Sequence, residues 1–108
     1  MLPEEATKRF LDALLEKTRD AKVKWAHLQY AADGYTASVD GRYAVTIYGT
    51  LANHRLIVED DEGRELLRMH ADDEQFGAQV REVYRLASQS ATASPEKLND
   101  AAEVLKRL

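Results

Sequence analysis

The apolar positions change period along the chain, and those changes predict its elements. From Pro3 to about Asp20, Thr7, Phe10, Leu11, Leu14 and Thr18 recur three or four residues apart, with Leu15 flanking. Glu5, Lys8, Arg9, Asp12, Glu16 and Arg19 fill the other side. That is the stripe of an amphipathic helix. Pro3 suits the first turn, where its missing N–H costs nothing, and Glu4 and Glu5 face the positive end of the helix dipole. The period then fades. Val23 and Trp25 alternate with Lys22 and Lys24, as in a connector or a short extended piece.

Gly34 to Thr50 switches to a period of two around Asp40-Gly41, a strong hairpin signal. A two-residue loop would set Ser38 against Tyr43 and mix apolar with polar residues on each face. A three-residue loop, Val39-Asp40-Gly41, pairs Ala37 with Tyr43 and Tyr35 with Val45. It gathers Tyr35, Ala37, Tyr43, Val45 and Ile47 on one face. A one-residue slip exchanges the faces of a strand, so the pattern selects the three-residue loop. The opposite face then carries Thr36, Ser38, Ala44, Thr46, Tyr48 and Thr50, a mostly polar set suited to solvent.

Leu51 to His54 reads as a turn, Arg55 to Glu59 as a buried strand, Asp60 to Gly63 as a second turn, and Arg64 to Met69 as a fourth strand. From Asp72 the period becomes helical, with Phe76, Val80, Val83, Tyr84 and Ala87 in one stripe and acidic residues at the start. Gly77 inside that helix costs about 1 kcal/mol relative to alanine, which points to close packing against the sheet. Gln89 to Ala93 reads as a loop of small residues. Ser94-Pro95-Glu96 opens a last helix as cap, first-turn proline and dipole-facing acid, and its stripe is Leu98, Ala101, Ala102, Leu105 and Leu108.

The expected fold is α+β in the order α-β-β-β-β-α-α. An antiparallel four-stranded meander carries one preceding and two following helices, packed mainly on one face. The run LLEKT leading to a lysine-flanked tryptophan, the meander turns and the VYRLA helix resemble a group of small bacterial α+β domains. The residues that carry the resemblance are Lys17, Thr18, Trp25 and Tyr84. It implies this fold and no established activity.

Composition narrows the function classes. At 108 residues and 44% hydrophobic content, one domain with one core is expected, burying roughly 65% of the unfolded surface. No cysteine is present, which excludes disulfides and thiolate metal sites. The charged start of the chain does not read as a signal peptide, and no apolar run approaches the roughly 20 residues of a membrane span. A soluble, cytoplasmic protein is expected. The net charge of −4 argues against non-specific nucleic-acid binding.

Three candidate sites emerge. The open hairpin face, Thr36, Ser38, Thr46, Tyr48 and Thr50, would contact a protein partner or a second copy. His70, Asp72 and Asp73 at a strand-to-helix junction are the residue types of a divalent-metal site or a general base. Lys22, Lys24 and Trp25 offer charge and a stacking ring to nucleic acid. His27 and His54 are isolated in sequence. The acidic run Glu59 to Glu62 lacks the ligand spacing of a calcium loop, and a hairpin turn explains it. No nucleophile motif or glycine-rich phosphate loop appears, and no cofactor is implied. The leading expectation is a non-enzymatic interaction or self-association module.

Overall fold

The computed structural model describes residues 2–29, 33–50, 53–92 and 95–108, with the backbone alone at 50, 92 and 95–97. The expected turn at Leu51-Ala52, the cap at Ser94, and the side chains of Tyr30, Thr50, Pro95 and Glu96 lie outside the described residues. The elements are α1 (Pro3–Arg19), β1 (Ala26–His27), β2 (Gly34–Val39), β3 (Tyr43–Thr50), β4 (Asn53–Asp60), β5 (Glu65–His70), α2 (Gly77–Thr92) and α3 (Pro95–Lys106). The α+β class is as expected. The strands form one antiparallel meander in sequence order.

Five strands appear among the described residues rather than four, because Ala26 and His27 pair with Thr36 and Tyr35 as a short edge strand. The Val23–Trp25 alternation therefore leads into a strand. Trp25 is buried, and its indole Nε1–H donates to Thr18 Oγ1 at 3.2 Å. That bond satisfies the ring's donor and a buried hydroxyl of α1 together.

The β2–β3 hairpin keeps its expected faces in a different register. Asp40 and Gly41 both have positive φ, 56° and 65°, and Arg42 N–H donates to Val39 C=O at 3.0 Å. Aspartate and glycine tolerate these angles, so the turn closes on them and Val39 stays in the ladder. The loop becomes Asp40-Gly41-Arg42, and Val39 pairs with Tyr43, Ala37 with Val45 and Tyr35 with Ile47. The shift from the expected pairing is two residues, an even number, so no side chain changes face. Asn53 and His54 belong to β4, not to a turn. The following turn is closed by Asp60 Oδ1, which accepts the N–H groups of Glu62 and Arg64 at 2.9 Å each.

The face holding Tyr35, Val45, Ile47, Leu56 and Val58 is covered by α1 and α2, which supply Leu11, Leu14, Val80, Val83 and Ala87 to the core. The backbone of α2 comes close to all five strands, whereas α1 lies close along α2 and less close to the sheet. Small residues on α2, Ala87 and Ala91 among them, permit that approach. The stripe at Val80, Val83, Ala87 and Ala91 also explains why α2 runs on to Thr92, through residues expected to form a loop. Helix α2 begins at Gly77, later than expected. Asp73 Oδ1 accepts the N–H groups of Gln75 and Phe76 and holds 71–76 in turns. Between the helices, Glu82 meets Arg19 of α1 at 3.8 Å and Arg85 of α2. The hydrogen bond from Arg85 holds the partly exposed Glu82 carboxyl below its ordinary value.

The third helix departs from the expected arrangement. Among the described residues no element packs closely along α3, so it does not share the covered face of the sheet. No helix among the described residues is long and apolar enough to cross a membrane.

Gly77 supplies a test of this packing. A Cβ there would lie 2.3 Å from the Ala71 carbonyl oxygen, a backbone atom. Helix propensity alone would make Gly77→Ala stabilising by up to about 1 kcal/mol. The clash reverses the sign: the expected outcome is a loss of about 2 kcal/mol in denaturant unfolding.

Candidate functional site

Register places the hairpin's candidate surface where it was expected. Thr36, Ser38, Thr46 and Tyr48 lie on the face away from the helices, and the Thr50 side chain is outside the described residues. That face is cross-linked by its own side chains. Tyr48, Arg55 and His70 stand side by side on β3, β4 and β5. Arg55 Nη1–H donates to Tyr48 Oη and Nε–H to His70 Nε2, both at 3.0 Å, and the guanidinium carbon lies 5.7 Å from the Tyr48 ring centroid. One cation thus ties three strands and leaves Tyr48 half-buried. In the next row the hydroxyls of Thr36 and Thr46 lie 3.4 Å apart.

The same row separates the members of the second candidate set. His70 is held by Arg55, Asp73 caps the turn before α2, and Asp72 is exposed. Among the described residues no three histidine or carboxylate side chains come together as a metal site. In the third set Lys22 and Lys24 are exposed, but Trp25 is buried and cannot present its ring to a base.

Folding assembles one group that local sequence could not reveal. The Tyr84 hydroxyl donates to the Asp33 carboxylate, while the His54 ring lies 3.9 Å from that of Tyr84. Tyr35 meets Tyr84 edge-on at 5.6 Å and His27 at 5.1 Å, and its hydroxyl donates to Ser88 Oγ at 3.1 Å. Partners such as Asp33 and Tyr84 lie some fifty residues apart, beyond any spacing rule. These ring contacts and hydrogen bonds bring the cluster's members together. It fastens α2 across one end of the sheet. No buried side-chain nitrogen or oxygen among the described residues lacks a partner.

The unsatisfied surface is apolar. At the opposite end of the sheet, under the first turns of α1, lies a groove of about 450 Å³ lined by Ala6, Phe10, Tyr43, Val58, Leu66 and Leu67, among others. Tyr43, expected in the core, is 37% exposed and forms part of its wall. A bulge makes the floor. Val58 pairs with Leu67 and Glu59 with Glu65, leaving Leu66 as the extra residue, and both leucines line the groove instead of alternating across the sheet. Leu66 remains 56% exposed.

Helix α3 is the second such surface. Leu98 and Leu105 are 67% exposed and Val104 is 50% exposed. The radius of gyration is 15.3 Å, against about 13 Å expected for a compact chain of this length, and the long axis is 57 Å. A stripe that reads like a core stripe is in water.

Comparison with protein-family models, with curated proteins and with solved structures finds no match to this chain. The resemblance to small bacterial α+β domains rests on Lys17, Thr18, Trp25 and Tyr84 alone.

Two outcomes follow. Arg55→Ala should cost about 1 kcal/mol through loss of its two half-buried hydrogen bonds, without changing the mass in solution. Thermal melts with and without a chelator should superimpose. A melting point lowered by chelator would contradict this reading of His70 and Asp73.

Proposed function

We propose that the protein is a self-association module whose contact is made by α3, not by the Tyr48 face. The observation that carries this reading is the exposure of Leu98, Val104 and Leu105 on a helix that packs closely against no other element among the described residues. A helix of 12 residues is marginal in water by itself, and most helical stability comes from burying an apolar face. Full burial of a leucine or valine is worth about 1.5–3 kcal/mol, so this stripe has a strong tendency to find a cover. The open sheet face has less to gain, since Tyr48, Arg55 and His70 already satisfy one another. Among the described residues no three histidine or carboxylate side chains assemble as a metal site, and the lack of cysteine is compatible with the cytoplasm.

Mass in solution tests the reading. By sedimentation, the native chain should be a dimer at roughly micromolar concentration, where a contact worth about 8 kcal/mol becomes half-populated. Leu98→Glu combined with Leu105→Glu should give a folded monomer. A native chain that stays monomeric at a hundredfold higher concentration would overturn the proposal.

A further inference from the structure

We infer that the groove beneath α1 receives α3 of a second copy, so that two chains exchange their last helices; this rests on the self-association reading above. Four observations select that occupant. The two exposed apolar surfaces belong to the same chain and complement each other: a groove walled by Phe10, Tyr43, Leu66 and Leu67, and a helical stripe running about 10 Å from Leu98 to Leu105. The nearest surface of α3's own chain is unsuitable. Only residues 93 and 94 separate α3 from α2, so a direct fold-back would lay the stripe on the outer side of α2. The exposed positions there are Ala78, Arg81, Arg85 and Gln89, mostly charged or polar.

A connection this short favours passing the helix to another copy, as in domain swapping. Charge agrees with that destination. Glu4 and Glu5 lie between the groove residues Pro3 and Ala6, and the turn after β4 adds Asp61, while Glu62 and Asp60 hold Arg64 and the Arg42 guanidinium stands 5.5 Å from the Tyr43 ring centroid. The last turns of α3 carry Lys106 and Arg107. Finally, each chain brings both this groove and this helix, so a reciprocal exchange about a two-fold axis closes and covers both surfaces.

The test mixes two broken chains. Ala6→Glu places a charge in the groove at an exposed helical position that tolerates it, and Leu66→Glu does so from β5. Leu105→Glu spoils the helix. Native mass spectrometry should find each variant monomeric alone. An equal mixture of Ala6→Glu and Leu105→Glu chains should recover a dimer holding one of each, through the single intact helix–groove contact, at least tenfold weaker than the native dimer and weaker again in high salt. If Ala6→Glu and Leu66→Glu dimerise like the native chain while Leu105→Glu does not, α3 pairs elsewhere, with another α3 for instance, and the exchange is overturned although self-association stands. A mixture that stays monomeric likewise overturns it. A monomeric native chain whose melting point falls with both Ala6→Glu and Leu105→Glu would mean that α3 occupies its own groove, and that result removes both proposals.

Discussion

The structure depends on one dry layer between a sheet and two helices. Leu11, Val45, Ile47, Leu56, Val80 and Ala87 are all fully buried there. A sheet whose residues alternate between faces can hide only one of them unless both are covered. Here the hidden face is set by Tyr35, Ala37, Val45, Ile47, Leu56 and Val58, and every other feature adjusts to it. Trp25 closes the layer next to β1. Gly77 lets the start of α2 pass within a Cβ's width of Ala71, and Ala87 and Ala91 bring the rest of α2 down onto the strands.

How the layer is closed decides what stays open. Because α2 takes the close position at the Asp33–His54 end, α1 stands further off, and the space under its first turns becomes the groove. The β5 bulge enlarges the apolar part of that space by turning Leu66 and Leu67 toward it together. Helix α3 comes after the layer is complete and finds no place in it. The aromatic and histidine cluster around Tyr84 belongs to the closing of the layer, with Tyr84 bonded to Asp33 and Tyr35 to Ser88. The Tyr48–Arg55–His70 row does similar service on the open face.

Most of the fold was legible from periodicity. The α1 stripe, the two faces of β2 and β3, and the core stripe of α2 follow from spacing alone. Register was less so. The faces of the hairpin depend on an even or odd count, which the pattern reveals, while the pairing depends on which residues accept positive φ, and Asp40 joined Gly41 in doing so. The small residues at 89–92 looked like a loop because alanine and serine mark close packing as readily as they mark a turn. The position of α3 was not legible, since an amphipathic stripe has the same spacing whether it meets its own core or another molecule. The groove was hidden for a related reason: it needs a bulge, and the extra Leu66 within ELLRMH is apolar like its neighbour.

In the exchanged dimer proposed above, the sheet and its two covering helices are complete without α3, and α3 is ordered by a second copy. Hydrogen exchange at the backbone amides, followed over a range of protein concentrations, tests it most directly. Protection in β3 and β4 should stay constant, whereas protection of residues 98–106 should rise with concentration as the helices become covered. Protection of α3 equal to that of the core strands at the lowest concentration would contradict the account.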